Sequence, residues 1–164
     1  MGKKIRVLVV DDSLVFREVL SRGISSDTSI EVVATAADPF DARDKILKYE
    51  PDVMTCDVEM PKMNGIEFIR RLIPQYPLPV IVVSTVNEAV FDAMNAGAVD
   101  FVAKPNTSSV KSVESFICDL IVKVKSAAIA KTLQQHSVSI PRKSYATMSF
   151  NPNKIVAIGA STGG

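Results

Sequence analysis

Ile5-Arg6-Val7-Leu8-Val9-Val10 runs directly into Asp11-Asp12. A short, near-continuous apolar run reads as a strand covered on both faces, which is the habit of parallel sheets. The same form recurs along the chain. Ile30 to Ala34 is one such run; Val53 to Cys56 leads into Asp57, Val80 to Val83 into Ser84, and Phe101 to Ala103 into Lys104-Pro105. Helical patterns lie between these runs. Phe16, Val19, Leu20 and Gly23 make one stripe. Asp38 followed by Pro39 reads as an N-cap with proline at the first helical position, opening a helix through Ile46 and Leu47. Val110, Val113, Ile117, Leu120, Ile121 and Val124 form a long stripe on a fifth helix. Strand and helix therefore alternate, and the prediction is a doubly wound α/β fold: five parallel strands with helices on both faces.

Composition narrows the classes. The 164 residues are 47% hydrophobic, enough for a substantial core, and 19 basic residues face 18 acidic ones for a net charge of +1. That balance argues against a nucleic-acid partner held by overall charge. Cys56 and Cys118 have no metal-type spacing and read as reduced thiols. The first apolar run is too short for a signal peptide core or a spanning helix, so no membrane insertion is expected.

In an open parallel sheet, ligands bind outside the carboxyl ends of the strands, where the winding reverses. Asp11, Asp12 and Asp57 stand at such ends. Three carboxylates in a small space repel one another and call for a hard divalent cation with oxygen ligands, of which Mg²⁺ is the common choice. Ser84 offers a hydroxyl to a phosphoryl oxygen, and Lys104 offers a point charge. A carboxylate nucleophile, a metal and a cation around one phosphorus suit phosphoryl transfer, which needs positioning and charge neutralisation above all.

Asp11-Asp12, Asp57, Met60-Pro61, Asn64-Gly65, Ser84 and Lys104-Pro105 together resemble the signature of the bacterial response-regulator receiver family, over roughly residues 3–126. The resemblance implies a flavodoxin-like strand order of 2-1-3-4-5 and a cytoplasmic protein phosphorylated on Asp57 by a sensor histidine kinase. It implies that Asp11, Asp12, Asp57 and the backbone carbonyl of Glu59 hold Mg²⁺, that Lys104 binds the phosphate, and that Ser84 and Phe101 switch on phosphorylation. Phe101 stands where the family often has tyrosine, so no phenolic hydroxyl is available to that switch. A cis peptide bond before Pro105 is implied as well.

The pattern changes after about Ser126. Residues 127–153 read as a linker, helical at its start, and 154–164 as the beginning of a second domain. There Ile155 to Ile158 precede Gly159-Ala160-Ser161-Thr162-Gly163, the Gly-x-Ser-x-Gly spacing of a nucleophile elbow. Behind a receiver this resembles the start of the catalytic domain of chemotaxis protein-glutamate methylesterases, whose substrates are chemoreceptors. Ser161 would be the nucleophile of an intact enzyme controlled by its own receiver, and inert here without a histidine and an aspartate. The alternative is a standalone receiver acting only as a protein-binding switch.

Plainer readings accompany several residues. Asp11-Asp12 or Ser13 could cap the helix that begins near Leu14. Ser84 and Phe101 could be ordinary core, and Gly65 reads as a turn residue with positive φ. Cys56 should point to the sheet face opposite Asp57. His136, the lone histidine, reads as solvated. The loop after the first strand is acidic and lacks the glycine pattern of flavin or nicotinamide binders.

Overall fold

The computed structural model describes residues 3–60, 62–85, 89–105, 110–138, 158–159 and 161–162. Five strands, β1 (Ile5–Val10), β2 (Ile30–Ala36), β3 (Val53–Asp57), β4 (Val80–Ser84) and β5 (Asp100–Ala103), alternate with α1 (Leu14–Ser25), α2 (Pro39–Tyr49), α3 (Gly65–Leu72), α4 (Ala89–Ala96) and α5 (Val110–Val138). The strands pair in parallel in the order β2-β1-β3-β4-β5, the arrangement expected from the sequence. The order reverses between β1 and β3, which opens a crevice at their carboxyl ends.

Side-chain alternation divides the interior in two. Leu8, Val10, Met54, Cys56, Val80 and Val82 face α2, α3 and α4, where Ile46, Phe68, Ile69, Leu72 and Ala93 complete one core. Val7, Val9, Val53, Ile81, Val83 and Val102 face α1 and α5, where Phe16, Leu20, Ile24, Phe116, Leu120 and Val124 complete the other. Cys56 is buried on the first face, as alternation predicts, and Cys118 is exposed on α5.

Local chemistry sets where the helices begin. Asp38 Oδ1 accepts from the backbone N–H of Phe40 and Asp41 at 2.9 Å, with Pro39 inside the helix start. Asn64 Oδ1 caps α3 by accepting from Ile66 N at 2.7 Å. Such caps satisfy N–H groups that have no partner within the helix.

Residues 1–129 form one compact unit, to whose core Ala127 belongs. Helix α5 runs on to Val138, through the first part of the stretch expected as a linker. In the second unit, Ala130–Gly164, β6 (Ile158–Gly159) pairs antiparallel with β7 (Ser161–Thr162). Residues 154–157, 160 and 163–164 and the Ser161 side chain, which carry the expected elbow, lie outside the described residues.

Two expectations are corrected. No cis peptide bond occurs among the described residues, so Lys104–Pro105 is trans, the isomer that X–Pro bonds favour by about 0.5–1 kcal/mol. Positive φ in the loop after β3 falls on Lys62 (φ 73), while Gly65 serves close approach instead. A Cβ at Gly65 would stand 2.1 Å from the Asp57 carbonyl oxygen, and Gly65 N donates to Val58 O at 2.7 Å. At Gly23 in α1 a Cβ would meet the side chain of Ile117 on α5, its nearest atom at 2.5 Å.

Backbone cannot yield as an isoleucine tip can. Gly65→Ala should therefore cost about 2 kcal/mol or more, within the range seen for overpacking. Gly23→Ala, helped by the higher helix propensity of alanine, should cost less. Urea denaturation of the two variants checks the order; equal losses would mean that the Gly65 contact relaxes freely.

Candidate functional site

The crevice gathers four charged side chains. Asp11 follows β1 directly, and its N–H donates to Ala36 O at 3.0 Å, which continues the pairing with β2. Asp57 is the last residue of β3, and Lys104 follows β5. Carboxylate oxygens of Asp11, Asp12 and Asp57 all lie within 4.8 Å of one another. Asp11 is 1% exposed and Asp57 4%, whereas Asp12 faces solvent. Lys104 Nζ sits 3.0 Å from Asp11 Oδ2 and 3.4 Å from Asp57 Oδ1. The first contact is off the angle of a hydrogen bond, so the buried Asp11 Oδ2 pairs by charge alone.

The start of α1 secures this corner. Ser13 Oγ accepts from Phe16 N at 3.2 Å and is the cap, which releases Asp11 and Asp12 from that role. Ser13 N donates to Asp11 Oδ1 at 2.9 Å, and Arg17 Nη1 donates to the Asp11 carbonyl at 2.7 Å. The Phe16 ring lies under Lys104, with Nζ 4.5 Å from its centroid. Phe16 and Arg17 were not singled out from the sequence. Phe16 merges into an apolar stripe, and the bond of Arg17 is to main chain, which leaves no residue-type signature.

Ser84 ends β4 and is 1% exposed, in the register position beyond Val83, which pairs with Asp57. Its carbonyl accepts from Lys104 N at 2.9 Å, which ties the ends of β4 and β5. Phe101 is half-buried and packs against the core under α2, α3 and α4, while Lys123 of α5 reaches its carbonyl at 3.3 Å. The backbone N–H of Glu59 lies close enough to the Asp57 carboxylate to favour its ionised form. Thus Asp11, Asp12, Asp57 and Lys104 meet, Ser84 adjoins them by register, and Phe101 stands on the neighbouring strand.

Electrostatics follow from crowding. Burial, then the charge of Asp11, pushes the Asp57 carboxyl up to about 6 against the opposing pull of Lys104 and the Glu59 N–H. Burial would lower the Lys104 ammonium, but the attraction of Asp11 and Asp57 outweighs it and holds the group above the usual lysine value. Burial, with the charges of Asp57 and Asp11, pushes the Cys56 thiol well up. Three carboxylates against one ammonium leave a net negative site, and one buried carboxylate oxygen lacks a hydrogen bond. An all-oxygen donor set of this kind fits Mg²⁺.

The model of the response regulator receiver domain matches residues 7–112. The chain belongs to the response regulator receiver family. This receiver is 57% identical over 165 residues to a protein-glutamate methylesterase/protein-glutamine glutaminase 2 of Syntrophomonas wolfei, an alignment covering 99% of the chain and 47% of that protein. The chain spans about half the length of the curated relatives it matches. Among solved structures it resembles the response regulator domain of Thermotoga maritima CheB, with 38% identity, TM-score 0.71, and coverage of 77% of this chain and 97% of that one. It also resembles a chain in the complex of the CheA3 P1 domain with CheY6 from R. sphaeroides, with 28% identity, TM-score 0.64, and coverage of 76% and 99%.

Because folding raises the Asp57 carboxyl from 3.8 to about 6, the folded receiver binds that proton more tightly than the unfolded chain. The stability so gained is full below pH 3.8 and is lost as pH rises through about 6. In divalent-free buffer at pH 7, Asp57→Asn should therefore stabilise the fold by about 1–3 kcal/mol. The gain should shrink towards pH 4. Urea denaturation with a chelator at both pH values checks this, and an equal gain at both would assign it to something other than charge.

Proposed function

We propose that Asp57 accepts a phosphoryl group, that Asp11, Asp12, Asp57 and the Glu59 carbonyl hold Mg²⁺, and that the receiver controls a protein-glutamate methylesterase acting on chemoreceptors. The observation that carries this reading is the meeting of Asp57 with Asp11, Asp12 and Lys104 at the strand ends. The methylesterase part is supported by relatives of that name, which match nearly the whole chain over about half their own length.

Asp57 titrates near 6, so at neutral pH most molecules carry the ionised nucleophile. A carboxylate oxygen of Asp57 attacks phosphorus, an O–P bond forms, and the bond from phosphorus to the donor breaks with its electron pair leaving on the donor. When bound, Mg²⁺ supplies charge neutralisation for the carboxylates and the transferring oxygens. Lys104, held protonated by its two carboxylates, adds a second positive charge on the β5 side. Ser84 donates its hydroxyl to a phosphoryl oxygen, and Phe101 on the adjoining strand answers that movement. The phosphoryl donor is a sensor histidine kinase. Likeness to a chain from a complex of a CheA3 P1 domain with CheY6 supports that partner.

In the intact protein Ser161 is the esterase nucleophile, the receiver restrains its own catalytic domain until phosphorylated, and the whole acts in the cytoplasm. No helix among the described residues is long and apolar enough to cross a membrane. The chain alone, with Ser161 but no triad partners after it, should release no methanol from methylated receptors above a Ser161→Ala control.

Intact-mass analysis of the chain with a small phosphodonor and Mg²⁺ should show one added phosphoryl group. The adduct should be absent from Asp57→Asn and form at least about tenfold more slowly in Lys104→Ala, the loss of one charge-assisted contact. An adduct persisting in Asp57→Asn would place the acceptor elsewhere.

A further inference from the structure

Lysine has a flexible four-carbon stem, and holding its head in one place costs conformational entropy. Lys104 is nonetheless fixed between two carboxylates, 3.0 Å from Asp11 Oδ2 and 3.4 Å from Asp57 Oδ1. The Asp11 contact lacks hydrogen-bond geometry, so it does little to orient the ammonium. Among the described residues the ammonium also meets the Phe16 ring, whose centroid lies 4.5 Å from Nζ. That ring is only 8% exposed and is braced by Phe116 of α5, centroid to centroid 5.8 Å with the planes inclined at 40°. The same turn of α1 binds Asp11 twice, through Ser13 N and Arg17 Nη1. Phe16 therefore presents its face from a rigid support that already locates the acidic partner of Lys104.

We infer that Phe16 is a positioning residue for Lys104, its ring face holding the ammonium beside the phosphoacceptor; this rests on Asp57 being that acceptor. An aromatic face attracts a cation through its quadrupole. Unlike a carboxylate, it offers no oxygen that would compete with an arriving phosphoryl group for the ammonium protons. Phe16 thus keeps Lys104 in place while leaving its hydrogen bonds available. A leucine would fill the core but supply no negative face, which separates this role from packing.

The test is the rate of Asp57 phosphorylation by a small acyl phosphate in saturating Mg²⁺, read by intact mass on the full chain. Phe16→Leu should slow it about threefold to tenfold, the range of a partly desolvated cation–π contact. Site-specific replacement of Phe16 by a trifluorinated phenylalanine keeps the ring's shape, removes its negative face, and should slow it as much. In a Lys104→Ala background both replacements should leave the rate unchanged within about twofold, as expected when a variant's only interaction partner is already gone. A purely structural effect would slow both backgrounds alike, and that result overturns the inference. So does a native rate in the fluorinated protein. Failure of the acceptor assignment shows separately, as an adduct on Asp57→Asn.

Discussion

Like charges brought together out of water govern the carboxyl edge of this sheet. Parallel strands lying side by side bring the ends of β1 and β3 together, and each end carries acid, so oxygens of three carboxylates crowd within 4.8 Å. Every nearby polar arrangement answers that crowding. The single lysine between Asp11 and Asp57, the N–H groups of Ser13 and Glu59, and the retained proton affinity of Asp57 each reduce the cost of burying negative charge. None removes it. The site remains negative on balance, and a receiver in this state has a standing affinity for cations, which the added negative charge of a phosphoryl group would increase.

The sheet also keeps two cores apart, one on each face. Leucine, valine and isoleucine side chains sort strictly to one face or the other along each strand. Phe16 approaches Lys104 from the α1 and α5 side, while Phe101 packs on the side of α2, α3 and α4.

Much of this was legible in the residues, and what was not has identifiable physical reasons. Apolar runs ending in Asp11, Asp57, Ser84 and Lys104 announced both the strands and the crevice, because burial on two faces leaves little freedom in composition. Asp38-Pro39 announced a helix start through its own cap chemistry. Gly65 was noticed for the wrong reason: sequence shows a missing side chain but not whether φ or a neighbour demands it, and here the Asp57 carbonyl does. Phe16 was invisible as a partner of Lys104 because core residues and ring platforms share the same helical spacing. Arg17 was missed because its acceptor is main chain. The bond before Pro105 depends on context that neither residue carries.

The two cysteines have a practical consequence. Cys56 is sealed beneath the acidic crevice, its thiol pushed well up by burial and by Asp57 and Asp11, so it resists forming the thiolate that electrophiles attack. Cys118 lies exposed on α5. A maleimide dye or spin label added to the unaltered chain would therefore attach at one position. The protein comes with its own addressable handle on the helix that braces Phe16, and that helix's response to phosphorylation is open to spectroscopy without a single engineered residue.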